Sequence, residues 1–150
     1  MKRNPIYFIV TGHLEKSNFS CKFALFLKYF MHELSIAQSI VELADREARN
    51  RQAGSIEELE LEIGSLSGIE WSALDFALES AIKGSFLEDA RIVVQRIAGE
   101  GRCCDCENLF PVENLFTACP ACDSYAVKIV KGKELRIKSI LILNNMNTPQ

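Results

Sequence analysis

Two Cys-x-x-Cys pairs, Cys103/Cys106 and Cys119/Cys122, stand twelve residues apart in the second half of the chain, and no other feature restricts the fold as much. Each pair places two thiolates on one tight turn. Two such turns facing one another close a tetrahedral S4 cage of the kind that holds structural zinc. Four soft ligands leave no coordination position for water, so a zinc ion there stabilises the fold and does not catalyse. Metal binding at such sites is worth on the order of 10 kcal/mol, which accounts for order in a segment with few core side chains. A pair of disulfides or an iron centre of rubredoxin type are the alternatives that the spacing leaves open. Cys104 would leave one residue between itself and Cys106, a poor fit to the turn, and reads as a spare thiol.

The charge distribution narrows the class of partner. The chain has a formal net charge of -3, but residues 1–30 carry five Lys/Arg and one acid, while the remainder carries twelve basic and nineteen acidic residues. An acidic body of this kind argues against a nucleic-acid partner. Lys2, Arg3 and the apolar run Ile6 to Val10 resemble a secretory signal, but the run is short and no small-residue cleavage site follows it. Phe23 to Phe30 is too short to span a bilayer and suits an amphipathic surface helix. No membrane partner is expected. Thiols at metal-ligand spacing without an export signal point to a reducing, cytoplasmic compartment.

The rest of the chain alternates helical and strand periodicity. From Leu34 to Arg51, Ile36, Ala37, Ile40, Val41, Leu43, Ala44 and Ala48 recur at three- and four-residue steps, predicting an amphipathic helix. Ile56 to Ile63 alternates Leu59, Leu61 and Ile63 against Glu58, Glu60 and Glu62, a strand with one buried and one wet face. Trp71 to Ile82 reads as a second helix, stopped near Gly84, and Ala90 to Ala98 as a second strand. Ala126 to Val130 and Leu135 to Leu143 are strand-like and flank Lys131-Gly-Lys133, a turn suited to a hairpin. The last run is too apolar to lie on a small cysteine module alone, so it is expected to rejoin the sheet of the earlier strands. The expectation is an α+β fold: a small sheet with two helices over residues 31–98 plus 134–143, into which a zinc-ribbon domain, 99–133, is inserted. Asn144 to Gln150 is polar and expected to fray.

Catalytic machinery is missing from the pattern. The chain has two histidines, His13 and His32, and shows neither a G-x-S-x-G elbow nor a phosphate-binding glycine loop. Ser67-Gly-Ile-Glu70 matches an S-x-x-E capping box at a helix start, which explains both residues structurally. No catalytic residue is assigned, and a non-enzymatic role is expected. Met31-His32-Glu33 reads like the beginning of a protein. Were Met31 a terminus, its amine, the His32 amide nitrogen and the His32 imidazole would form two fused chelate rings, and planar nitrogen and oxygen ligation suits Ni(II) or Cu(II).

MHELSIAQSIVELA at 31–44, EIGSLSGIE at 62–70, the two C-x-x-C pairs and ELRIKSILI at 134–142 together resemble the HypA/HybF family of hydrogenase-maturation nickel chaperones. The resemblance spans Met31 to Leu143 and leaves residues 1–30 outside, as an extension that is not part of the functional chain. It implies delivery of Ni(II) for maturation of [NiFe]-hydrogenase, with a HypB-like GTPase and the hydrogenase large subunit as partners; a homodimer is left open. It further implies nickel ligation by Met31, His32, Glu33 and Glu70, beside structural zinc on Cys103, Cys106, Cys119 and Cys122. Some members have Asp where this chain has Glu70, whose side chain reaches one methylene further. A peptide bond from Phe30 removes the Met31 amine and impairs that nickel mode. A nucleic-acid-binding or regulatory zinc ribbon is the alternative, resting on the basic run Lys128, Lys131, Lys133, Arg136 and Lys138; a redox role for Cys104 is another.

Overall fold

The computed structural model describes residues 6–9 and 25–144, with side chains described over residues 32–143. The frayed tail expected beyond Asn144 and the thiol of Cys21 lie outside the described residues. The first strand, β1 (Ile6–Ile9), is followed by a long helix, α1 (Leu25–Asn50). Strand β2 (Ala53–Gly64), helix α2 (Trp71–Ala81) and strand β3 (Arg91–Ile97) come next. Short strands β4 (Glu100–Cys103), β5 (Leu109–Pro111) and β6 (Val127–Lys131) precede the closing strand β7 (Leu135–Asn144). Two sheets result, a four-stranded one in the order β1-β7-β2-β3 and a three-stranded one in the order β5-β4-β6.

The larger sheet is built on β2, whose alternation sets its two faces. Ile56, Leu59, Leu61 and Ile63 face the helices and are 7% exposed or less. Strand β7 returns antiparallel to β2, with Ile142 opposite Ile56, Ile140 opposite Leu59 and Ile137 opposite Leu61. Strand β3 runs parallel to β2, connected through α2 as parallel pairs require. Helix α1 adds Ala37, Ile40, Ala44 and Ala48, and α2 adds Leu74, Ala77 and Leu78, so the core is one layer of helices on one sheet face. Leu87 closes it from the loop before β3, and that loop is held to α1 by the Phe86 amide donating to Asp45 Oδ1 at 3.0 Å.

Four expectations are corrected. Helix α1 begins at Leu25, nine residues before the predicted start, so Met31 lies inside it. The wet face of β2 is a ladder of cross-strand ion pairs. Arg91 pairs with Glu58, Lys138 Nζ lies 3.0 Å from Glu60 Oε1, and Arg136 Nη2 lies 2.5 Å from Glu62 Oε2. Glu62 is only 8% exposed beneath its arginine. Strands β6 and β7 do not form a hairpin: the chain turns at Gly132 (φ +99) and changes sheets, because the apolar side chains of β6 belong to the cysteine module and those of β7 to the main core. Finally, Ser67 does not cap α2. Glu70 itself is the N-cap (φ -82, ψ 114), and Ser67 Oγ accepts from the Ile69 amide.

Candidate metal centres

The two C-x-x-C pairs fold into matching knuckles. In the first, the Cys103 amide donates to the Asn108 carbonyl at 2.9 Å, and the Glu107 amide returns to the Cys103 carbonyl at 3.1 Å. In the second, the Cys119 amide donates to Ser124 and the Asp123 amide to Cys119, both at 2.8 Å. The residue after each second cysteine takes a left-handed backbone, Glu107 at φ 59 and Asp123 at φ 58, a conformation that the short side chain of Asp tolerates better than most and that Glu107 adopts within the closed knuckle turn. Ser124 Oγ donates to Asp105 Oδ2 and ties one knuckle to the other.

The four thiols converge. All four Sγ atoms lie within 4.8 Å of one another, and Cys103–Cys122 and Cys106–Cys119 are each 3.6 Å apart. A tetrahedron with Zn–S bonds of about 2.3 Å has edges of about 3.8 Å, so the cage fits zinc, and no pair is at disulfide bonding distance. Cys103 and Cys119 are fully buried, and Cys106 and Cys122 stand on the rim. The donors are unequal. Burial pushes the Cys119 thiol up, but the Ala121 amide and the Cys106 thiol outweigh it and bring it down to about 7. The Ser124 amide favours the Cys122 thiolate, yet the neighbouring thiols of Cys106 and Cys103 push it up to about 12. A cation in the cage offsets this crowding of thiolates. Bound zinc would supply structure rather than chemistry, with every thiolate used. Cys104 is exposed and outside the cage.

The residues implied in nickel binding are spread over two helices. His32 is exposed, two turns into α1. Glu33, the next residue, turns inward and is 2% exposed, and its Oε2 has no hydrogen-bond partner among the described residues. Glu70 Oε2 accepts from the Ala73 amide at 2.7 Å and the Ser72 hydroxyl at 2.6 Å. Those two donors, the Ser72 hydroxyl first, hold its carboxyl below the usual carboxylate range. Among the described residues the four cysteines alone gather into a ligand cluster, so His32, Glu33 and Glu70 are not drawn together as a set.

Several contacts that shape these sites were missed in the sequence. Leu66, in the loop between β2 and α2, packs against the buried cluster of Cys103, Phe110, Val112 and Cys119 and so joins the ribbon core to the turn that leads to Glu70. Arg96 lies over the Trp71 ring, 5.9 Å from its centroid, at the same end of the sheet. Neither contact has a local signature, because each depends on sheet register. The basic run of the sequence is also dispersed: Arg136 and Lys138 are neutralised by Glu62 and Glu60 on the larger sheet, away from the ribbon.

Comparison with known proteins places this geometry. Residues 31–142 match the family model described as hydrogenase/urease nickel incorporation, metallochaperone, hypA. The hydrogenase maturation factor HypA of Parabacteroides distasonis is 65% identical over 112 residues, covering 75% of this chain and 97% of that protein. The factor of the same name from Geobacter metallireducens is 42% identical over 110 residues, covering 73% and 97%. A solution structure of a HypA protein superposes with a TM-score of 0.59 at 31% identity, covering 75% of this chain and 97% of that one. The Ni metallochaperone HypA of Helicobacter pylori gives 0.56 at 29%, covering 75% and 98%. With the zinc cage, the inserted ribbon and this match in hand, the chain belongs to the HypA family of nickel-incorporation metallochaperones.

Proposed function

We propose that the protein carries Ni(II) for the maturation of [NiFe]-hydrogenase, using a nickel site separate from its structural zinc, and that it transfers metal rather than transforming a substrate. Family membership supports the role. The observation that carries the ligand set is Glu33. A carboxylate 2% exposed with an unpartnered oxygen is costly to bury, and a cation bound beside it, on the exposed His32, relieves that cost. Glu70, ionised at the start of the helix that packs against α1, supplies a further oxygen. Met31 supplies its amine in a chain that begins there; residues 1–30, outside the family match, are then an extension not needed for nickel carriage by the unit of 31–98 plus 134–143 with its ribbon at 99–133, although Ile6–Ile9 adds an edge strand beside β7 and residues 25–30 open α1. The proposed compartment is the cytoplasm and the proposed partners are a HypB-like GTPase and the hydrogenase large subunit.

The test is a Ni(II) titration against a competing chromophoric chelator, run on zinc-loaded chains 1–150 and 31–150 side by side. Tight binding of one nickel by the shorter chain alone is expected. Equal binding by both would move the ligand set off the Met31 amine and onto His32 and the carboxylates. Binding by neither would end the nickel reading.

A further inference from the structure

The three-stranded sheet turns one face to the metal core, through Cys103, Phe110, Val112, Val127 and Ile129, and the other to solvent. On the solvent face, strand register sets Leu109, Arg102 and Lys128 side by side across β5, β4 and β6. Pro111, Glu100 and Lys131 form the next row. Arg102 and Lys128 are therefore a directly opposed cross-strand pair of like charge, an arrangement that costs stability. Neither makes an ion pair among the described residues, whereas Lys131 reaches Glu100 at 3.4 Å. Leu109 is 50% exposed beside them and Val130 is 40% exposed. At the base of this face a cleft of about 410 Å³ is lined by Glu100, Leu109, Pro111 and Lys131 of the ribbon and by Arg96 and Ala98 at the end of β3.

We propose that this face docks an extended, acidic segment of a partner protein, its carboxylates on Arg102 and Lys128 and an apolar side chain over Leu109 and into the cleft. Charge complementarity selects that occupant: three cations face one acid here, in a chain whose net charge is -3. The interleaved Leu109, Pro111 and Val130 suit a peptide, whose side chains alternate, better than a phosphate backbone. The cationic track is also short, because Arg136 and Lys138 are already paired with Glu62 and Glu60 on the larger sheet. The repulsion between Arg102 and Lys128 is what a site shows when its counter-charge arrives with the partner.

The test uses the full zinc-loaded chain, a fluorescein-labelled peptide of sequence ELDPELD and a single-stranded oligonucleotide of matched charge. Peptide binding that weakens from about 50 mM to about 300 mM salt is expected, with amide shifts centred on Arg102, Leu109, Lys128 and Lys131. Lys128→Glu should lower peptide affinity at least about tenfold and also raise the thermal midpoint of the free protein, since it turns a repulsive cross-strand pair into an attractive one. Arg102→Gln should weaken the peptide in the same direction. Unchanged affinity in both variants, or shifts centred on another face, would overturn the proposal. So would tighter binding of the oligonucleotide to the same residues, which would reassign the face to nucleic acid.

Discussion

Gly64 and Gly132 meet backbone to backbone: a Cβ on Gly64 would stand 2.1 Å from both the carbonyl carbon and the carbonyl oxygen of Gly132. This contact is where the ribbon is seated on the α/β domain. It is stitched by the Gly64 amide to the Glu134 carbonyl at 2.8 Å, the Ser65 amide to Ile97 at 2.9 Å and the Leu66 amide to Gly132 at 2.6 Å. Both legs of the insertion are thus tied to one loop, the loop that leads to Glu70.

Gly64→Ala should therefore be severe for so small a change. The obstructing atoms are backbone with hydrogen bonds of their own and cannot swing aside, so the cost should reach about 3 kcal/mol, the upper part of the overpacking range. Urea unfolding of the zinc-loaded protein checks it. A midpoint unchanged from the parent would mean that the two units shift apart freely at this seam.

What could be read from the sequence follows the range of the interactions involved. The zinc knuckles were legible because a C-x-x-C turn is closed by its own six residues, and β2 was legible because Leu59, Leu61 and Ile63 alternate strictly with glutamates. The return of β7 to the main sheet followed from an apolar run too long for the ribbon to bury. Partners in β-register were not legible. Whether Arg136 meets Glu62, or Lys128 meets Arg102, depends on bulges such as the register shift between Glu60 and Leu61, which no local pattern announces. The apparent β6–β7 hairpin misled for the same reason, since Lys131-Gly-Lys133 has turn chemistry but its flanking strands have different cores to fill. Ser67 and Glu70 satisfied a capping-box spacing, yet the short oxygen of an N-cap was supplied by Glu70, one helical turn later.

Zinc removal should melt the ribbon and spare the rest. Its buried cluster holds only Phe110 and Val112 besides two of the ligands, with Leu66, Val127 and Ile129 partly covered. The main core, by contrast, draws on two helices and on strands β2, β3 and β7. Chelation at neutral pH should open amide exchange across β4, β5 and β6 while leaving helical circular dichroism and the protection of β2 and β7 nearly intact. Cys119→Ser should do the same, because it removes a fully buried ligand. Loss of both units together would show that the ribbon organises the larger domain through the glycine seam.

The ion-pair ladder should divide sharply by exposure. Arg136 sets two nitrogens on Glu62 Oε2, at 2.6 and 2.5 Å, over a carboxylate whose side chain is only 10% exposed. Arg136→Ala leaves that charge buried without a partner, which should cost about 2 kcal/mol, reduced from the fully buried case because the arginine itself is 43% exposed. Arg49→Ala, in an i,i+4 pair with Asp45 at 3.6 Å, should cost no more than about 0.5 kcal/mol. Equal effects in denaturant titrations would show that Glu62 is solvated.

Glu60 gives the ladder a pH signature. Its carboxyl is held below the usual carboxylate range chiefly by the Lys138 ammonium, with the Ser139 hydroxyl adding to it. A carboxyl depressed in the folded state favours folding in full above its unfolded value, and that contribution fades as pH falls through the folded value. The stability difference between the parent and Lys138→Met should thus be constant near neutrality and shrink from about pH 5 downward. A difference that grows on acidification would reverse the assignment.

Glu70 allows helix capping to be separated from metal binding. Its Oε2 is engaged by the Ala73 amide and the Ser72 hydroxyl, so the proposed nickel ligation falls to the remaining oxygen. Glu70→Ala should lower both the unfolding midpoint and nickel affinity, and by itself decides nothing. Glu70→Ser restores a good N-cap oxygen without a carboxylate, so it should keep the midpoint of the parent while still losing nickel affinity in the chain beginning at Met31. Glu70→Asp keeps both groups but withdraws the carboxylate by one methylene, and an intermediate affinity is expected. Nickel binding that tracks the unfolding midpoint through all three variants would make Glu70 a cap alone and leave His32, Glu33 and the Met31 amine to hold the metal.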